Sequence, residues 1–492
     1  MGDNVVIIGS GLGGLECGFI LAKQGMQVTV LEKEHQTGGC LQTFMRGGQR
    51  FDTGLHYVGG LNEGGSLRPL FDYFGLMNLP WKRLDEDCFE EVWIGDRKFA
   101  FAQGHERFVD TLAKDFPAER KNLKTYAEML RQVGLHIWDS LYERDVVDFY
   151  STSLFAKSAW EWFAQTIKDP LLRKVLCGTS LKQQLDREHL PLYVFAQSNN
   201  SFIQSAWRLK GGGSQIADSL TEEIKHFGGR VRTNAEVTEL IEKDGKIVEV
   251  EINGEERIPC DYVISDAHPA VTLNLVKESR VLRGIYRRRI DRLKNGLGMF
   301  TVNIRLKTNS LKYENKNRYF YSADADPWSI RTDRVENALV HFYPLEEEHG
   351  FAQAIDILTP MHKNDVPGVD GAKSGHRGEE YQAFKRKKAE ECIRFVSDRF
   401  PELAGAIDTY WTSTPLTYEH YTNSREGSAF GTMKDWHSPA TTLLSPKTPI
   451  HNLLLTGQCL TLHGVLGVSM TSLETTAEFL GKETIRKEVL DC

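Results

Sequence analysis

A chain of 492 residues with 40% hydrophobic content is long enough to bury a large core, and its size predicts roughly two or three domains. Its 60 basic and 67 acidic residues leave a net charge of −7, with no basic block long enough to track a phosphate backbone, which argues against nucleic-acid binding. The eight cysteines, at 17, 40, 88, 177, 260, 392, 459 and 492, show neither C-x-x-C spacing nor a small-domain pattern, so neither zinc nor a disulfide framework is expected. Only four residues precede the first predicted strand, and no apolar run reaches the roughly 18 to 20 residues that span a bilayer. The expected location is the cytoplasm, with peripheral membrane contact left open.

The first predicted element is an apolar strand, Val5 to Ile8, running into Gly9-Ser10-Gly11-Leu12-Gly13-Gly14 and then a helix. Gly9 permits a tight turn out of the strand, Gly11 lets the backbone approach a pyrophosphate, and Gly14 lets the helix pack on the sheet. The helix N-terminus presents free N–H groups and the positive end of its dipole to phosphate. A second strand, Gln27 to Leu31, ends at Glu32, whose carboxylate is placed to accept from an adenosine ribose and would repel a 2′-phosphate. With Leu12, Gly13 and Lys33 these residues predict a dinucleotide cradle.

The cradle alone serves FAD and NAD equally. Gly38-Gly39, and then Asp52-Thr53-Gly54 within the run Phe51 to Gly60, add backbone-exposing segments that an NAD site does not need and a longer cofactor does. At the far end, Asn452 to Gln458 predicts a strand and the Gly457-Gln458 turn. Leu462-His463-Gly464-Val465-Leu466-Gly467 follows as a glycine turn, and a helix as Ser469 to Leu480. A helix N-terminus aimed at the flavin pyrimidine edge would stabilise negative charge there in the reduced cofactor. FAD is the expected cofactor, bound without a covalent link.

These segments resemble the FAD-dependent phytoene desaturase, carotenoid isomerase and retinol saturase superfamily, within the wider amine-oxidase and glutathione-reductase-like flavoproteins. V-V-I-I-G-S-G-L-G-G-L, Glu32, Gly38-Gly39 and F-D-T-G-L-H-Y-V-G look most like the retinol saturase branch. Arg208-Leu209-Lys210-Gly211-Gly212-Gly213, Gly228-Gly229-Arg230-Val231 and the strand Asp261 to Ser265 fit as well, although the proline that many desaturases place ahead of the central glycines is absent. By resemblance, the strand around Val237 offers its backbone to adenine. Many relatives carry an acid after the C-terminal T-G; Gln458 stands there, keeping a hydrogen-bonding group without the charge.

The resemblance implies an α/β fold: a Rossmann-like FAD-binding domain of the glutathione reductase/amine oxidase type with an interleaved α+β substrate domain. The expected division gives 1–95, 205–275 and 420–492 to FAD, and 96–204 and 276–419 to substrate. Only one G-x-G-x-x-G occurs, so no second nicotinamide domain is expected. In the first insertion, Leu154-Phe155, Trp160, Trp162-Phe163, Ile167, Leu171-Leu172 and Val175-Leu176 predict two amphipathic helices, either core or the lining of an apolar tunnel. The basic run Arg283, Arg287, Arg288, Arg289, Arg292 and Lys294 reads as a solvated helix face or a contact with anionic lipid. The polar stretch between His362 and Glu380 reads as a loop.

The implied chemistry is hydride transfer between flavin N5 and a carbon of a hydrophobic polyene or isoprenoid, saturating or desaturating a C–C bond. A cis–trans isomerase without net redox and an amine-oxidase-like enzyme are the alternatives. The electron donor or acceptor is not legible. A proton carrier is required beside the cofactor, and His56 and His463, inside the glycine segments, are the candidates, with Tyr57 behind them.

Overall fold

The computed structural model describes residues 3–142, 149–345, 350–367 and 377–490, so residues 368–376 of the polar stretch between His362 and Glu380 lie outside the described residues. Strand Asn4–Ile8 is apolar and buried over its last four positions because it lies inside a five-stranded sheet. The order across that sheet is Arg230–Arg232, Gln27–Leu31, Asn4–Ile8, Tyr262–Ser265, Leu453–Leu455, every neighbour parallel. Helices Leu12–Lys23, Ser214–His226 and Gly464–Leu480 pack beside it. Parallel strands place the turns at their carboxyl ends along one edge, so the glycine segments at 9–14 and 456–467 meet the turn that begins at Asp266.

Helix Gly464–Leu480 begins five residues earlier than the sequence pattern predicts, at Gly464 rather than Ser469. Gly464 and Gly467 read as turn glycines, yet they form its first turn. A Cβ on Gly467 would come within 2.5 Å of Leu462, so the close return of the chain, not a loop, demands the glycine.

The second sheet has seven strands in the order Ile407–Ser413, Gly298–Leu306, Ala354–Met361, Asn337–Phe342, Asn317–Tyr321, Glu90–Ile94, Arg97–Phe101. The expected boundary at 95 falls inside the hairpin of its last two strands, both of which lie in this sheet. Alternation along the strands divides it into two faces. Phe300, Val302, Val340, Phe342, Ile355 and Ile357 pack with Tyr381, Ala389, Cys392 and Val396 of helix Glu379–Ser397. The opposite face carries Met299, Tyr319, Leu339, His341, Asp356 and Leu358 toward the first sheet's carboxyl edge, with Leu339 and Leu358 directly opposed in register.

The aromatic stretch of the first insertion forms helices Ala159–Thr166 and Pro170–Leu176, the second capped by Asp169, whose Oδ1 accepts from Leu171 N at 2.8 Å and Leu172 N at 3.0 Å. Phe163, Ile167, Leu172, Val175 and Leu176 are core, Phe163 packing on Phe195 and Trp328, and none of them lines the cavity at the first sheet's carboxyl edge. The tunnel reading of this stretch is corrected accordingly: periodicity marked burial, not what lay on the other side. Of the basic run, Arg287 donates to the carbonyls of Leu273 and Val276, and Arg289 to those of Ala440 and Thr441, while Arg283, Arg288, Arg292 and Lys294 face solvent. Among the described residues no helix is long and apolar enough to cross a membrane.

Helices Leu12–Lys23 and Gly464–Leu480 are joined by a buried acid. Glu16 Oε1 accepts the Ser469 hydroxyl at 2.6 Å, and burial, the largest influence, pushes its carboxyl from 4.5 up to about 8 against the pull of the Ser469 and Ser472 hydroxyls. The unfolded chain ionises Glu16 near 4.5 and the folded chain resists until about 8, so stability is full below the first value and declines as pH rises through that window. Glu16→Gln, neutral at every pH, should remove the decline and open a Tm advantage of about 2 to 4 °C by the alkaline end. Thermal unfolding across the window tests this, and parallel curves for the two proteins would contradict it.

Candidate functional site

A cavity of about 470 Å³ runs from Glu32, Glu236 and Val237 past the glycine turns to His56, Lys182 and His463. Much of its first part is walled by glycine backbone. A Cβ on Gly11 or Gly13 would approach the Asp266 carboxylate to 2.3 or 2.7 Å, and one on Gly39 would come within 3.3 Å of Gly11 Cα. The Gly38 amide donates to the Ser10 carbonyl at 2.9 Å, binding the two glycine loops together. Helix Leu12–Lys23 has no acidic residue in its first turn and no side-chain cap, so backbone N–H groups face the cavity.

Glu32 is 7% exposed; its Oε2 accepts from Ser10 N at 3.1 Å and Ser10 Oγ at 2.7 Å, its Oε1 from Glu34 N at 2.9 Å. A carboxylate offers about four acceptor positions, so one remains for a ribose hydroxyl. Among the expected cofactor residues, Gly9, Gly11, Leu12, Gly13, Glu32, Lys33, Gly38, Gly39, Gly54, Val237, Gln458, Gly464, Val465 and Gly467 line this cavity. Gly14, Asp52, Thr53 and Gly457 do not. A Cβ on Gly14 would sit 2.1 Å from the Gly9 carbonyl, and one on Gly457 2.3 Å from Asp266, so both serve the packing of the turns. Asp52 accepts the Gly213 amide at 2.7 Å, and the Thr53 carbonyl accepts the Tyr418 hydroxyl at 3.3 Å. Backbone walls, a helix N-terminus and a terminal carboxylate acceptor fit the ADP half of a dinucleotide.

The far part of the cavity is apolar, walled by Val58, Leu67, Leu181, Phe202, Met299, Leu339 and Leu358. His56, Tyr57 and His463 stand at its junction with the glycine turns. His56 is lowered to about 4, first by burial and then by Arg208, and burial pushes the Asp356 carboxyl up to about 8. Both are therefore uncharged near neutrality, and their 4.0 Å approach is not an ion pair. The His463 ring donates through Nε2 to the Lys182 carbonyl at 3.2 Å; burial holds it below the usual histidine range, so it too is neutral. The Tyr57 hydroxyl donates to Glu90 and lies 2.5 Å from the Tyr319 hydroxyl.

Several polar groups here carry no local motif. Lys182 lines the cavity and bonds Glu90 Oε1 at 3.1 Å and Oε2 at 3.5 Å, while Glu90 is wholly buried. Lys434 is buried behind the Gln458–Cys459 turn, donating to Thr432 Oγ1 at 2.9 Å and the Cys459 carbonyl at 2.7 Å, and burial lowers it to about 8. It sets a cationic side chain beside the turn that carries Gln458. Cys40 also lines the cavity.

This fold and site define a dinucleotide-binding oxidoreductase with an apolar chamber attached. A family model described as flavin containing amine oxidoreductase matches residues 12–296, and the chain belongs to that family. All-trans-retinol 13,14-reductase of Rattus norvegicus is 27% identical over 97% of this chain and 85% of its own length. A 4,4'-diapophytoene desaturase of Methylomonas is 24% identical over 87% of this chain and 85% of its own length. Among solved structures, putrescine oxidase bound to putrescine superposes with a TM-score of 0.63 at 15% identity, over 98% of this chain and 99% of the other, a likeness of fold. The cofactor is FAD and the protein an FAD-dependent oxidoreductase.

Asp266 makes the cradle sensitive to pH. Burial, the largest influence, raises its carboxyl from 3.8 to about 7; the Gly14 amide pulls it down and Glu32 pushes it up. A neutral acid beside the helix N-terminus can donate to a phosphate oxygen, whereas a carboxylate repels it. FAD affinity should therefore be full below about 7 and fall above it, by up to about tenfold per pH unit. Asp266→Asn should flatten the profile. Fluorescence titration of apoprotein with FAD on both sides of neutrality measures this, and a pH-independent wild type would contradict it.

Proposed function

We propose that this FAD-dependent oxidoreductase acts on a C–C bond of a hydrophobic, conjugated isoprenoid, saturating or desaturating it. One observation carries the reading: the glycine-walled cradle and the apolar chamber are a single cavity, so a long apolar chain in the chamber ends beside the cofactor. The names of the retinol reductase and diapophytoene desaturase relatives support the same substrate class. FAD, when bound, supplies two-electron hydride exchange.

The chain's own residues do the rest. Gly9 to Gly13, Glu32 and Gly38-Gly39 would hold the ADP half, and Gly54, Gln458 and the Gly464 helix N-terminus the remainder. Phe202, Met299, Leu339 and Leu358 would grip the polyene and keep water from the reacting carbons. His56, Tyr57 and His463 are the polar groups we place against those carbons, where holding one geometry is worth orders of magnitude in rate.

Product mass tests the reading. FAD-loaded protein, reduced anaerobically and given all-trans-retinol in detergent micelles, should return a product heavier by two hydrogens. The oxidised protein with a partly saturated carotenoid precursor should return one lighter by two. A product of unchanged mass would make the chain an isomerase, and turnover of primary amines alone would make it an amine oxidase.

For location we propose the cytoplasm, with transient contact to a membrane that dissolves the substrate. The seven described free cysteines suit a reducing compartment. On helix Gly284–Asp291, Ile285 is 70% exposed, near Val281 at 38% and the exposed Arg283, Arg288 and Arg292. Protein should float with vesicles containing phosphatidylserine and not with neutral ones, and Ile285→Glu should weaken flotation several-fold; no flotation with either lipid would refute the contact.

A further inference from the structure

Saturating a double bond requires an acid beside the apolar chamber, and the residues with obvious histidine chemistry do not provide one. His56 and His463 are held neutral by burial, and the Tyr57 hydroxyl is committed to Glu90 and Tyr319. Lys33 and Arg425, the other cations on the cavity wall, belong to the nucleotide end: Lys33 Nζ donates to the His420 carbonyl at 3.1 Å and Arg425 pairs with Asp291 at 3.3 Å. Among the described residues that leaves Lys182 as the cationic side chain facing the apolar part.

The ammonium of Lys182 is built into the wall. It lies 4.3 Å from the centroid of the Phe202 ring, itself part of the chamber, and bonds both oxygens of Glu90. The Tyr57 hydroxyl also donates to Glu90, which thus accepts from two sides; burial pushes its carboxyl above the usual carboxylate range while Lys182 pulls it down. Glu90 reaches this place from strand Glu90–Ile94, and Tyr319 from the strand paired parallel beside it. The turn that carries Lys182 is fixed by the His463 ring on its carbonyl.

We propose that Lys182 is the acid that delivers the proton to the substrate carbon, with Glu90 and Tyr57 as positioning residues that hold its ammonium against the chamber. The inference rests on the polyene reading above. In the saturating direction a Lys182 N–H bond breaks and a C–H bond forms, leaving a neutral amine that recovers its proton from water. The hydride for the adjacent carbon completes the two-electron reduction, its electrons coming from a low-potential reductant, dithionite in the assay below. Burial, the larger influence, lowers the affinity of Lys182 for its proton and Glu90 partly restores it, so its ammonium is a better donor than that of a surface lysine. The titratable groups around it are Glu90, Tyr57 and Tyr319 on the sheet side, and His463, with Lys434 behind it, on the other.

The test uses FAD-loaded full-length protein, reduced with dithionite and mixed anaerobically with all-trans-retinol in micelles across neutral to alkaline pH. Lys182→Met should keep FAD and lose about 100- to 10,000-fold in the rate of flavin reoxidation, together with the alkaline limb of the wild-type profile. Lys182→Arg should fold, bind FAD and also lose the limb, because its proton does not leave in this range. Glu90→Gln should move the limb to lower pH, and His463→Ala should slow the reaction without moving it. Independently of substrate, the Nζ resonance that Lys182→Met deletes should titrate below the bulk lysines in nitrogen NMR, and lower still in Glu90→Gln. A flavin-replete Lys182→Met that keeps the wild-type rate and limb overturns the proposal, as does a Lys182 that titrates with the surface lysines. A wild type that converts no polyene overturns the functional reading instead, and the donor role with it, whatever the resonance shows.

Discussion

Three strand ends meet at a helix N-terminus that tolerates no side chain, and the architecture follows from that crowding. Gly14 presses on the Gly9 carbonyl, while Gly11, Gly13 and Gly457 surround the Asp266 carboxylate at distances where a Cβ would collide. Five parallel strands are what bring Gly9, Asp266 and Gly457 side by side, since each turn leaves the carboxyl end of its own strand. The crowding exposes backbone N–H groups toward the cavity and leaves one acid, Asp266, among them. A site built this way binds phosphate by geometry and dipole rather than by basic side chains, which agrees with the modest acidic charge of the chain.

The second sheet supplies what the first lacks. One of its faces is closed by helix Glu379–Ser397, and the other gives the chamber its apolar row, Met299, Leu339 and Leu358, beside a buried polar patch. In that patch Asp356 accepts from Asn303 Nδ2 at 2.7 Å and from the Tyr343 hydroxyl at 2.5 Å, and the His56 and His341 rings lie 5.1 Å apart. The patch keeps its acid and both imidazoles uncharged, and among the described residues Lys182, paired with Glu90, is the side chain of cationic type facing the apolar part.

The cradle was legible because its physics is local. A strand, a glycine turn, a helix start and a closing acid are adjacent in sequence, and glycine is required wherever a backbone approaches another group closely; the same held for Gly38-Gly39 and Gly54, while Gly464 answers to its left-handed φ of 74°. Glu90, Lys182 and Tyr319 escaped notice because register, not spacing, assembles them: Asn317 pairs with Glu90 across a parallel strand from a distant part of the chain. Asp266 follows directly on a predicted strand, yet nothing in that strand marks it as surrounded by three glycines. The aromatic run from Leu154 to Leu176 was legible as buried and illegible as to partner, and the boundary near 95 separated two strands that a hairpin holds together.

A crystal structure of the protein grown with FAD and a long polyene alcohol tests most directly whether one cavity serves both cofactor and substrate. It should show the dinucleotide extended from Glu32 toward His463 and the polyene between Phe202 and Leu358, its end within reach of the Lys182 ammonium. Ordered FAD in the cradle with the polyene bound elsewhere, or with the chamber filled by side chains, would contradict it.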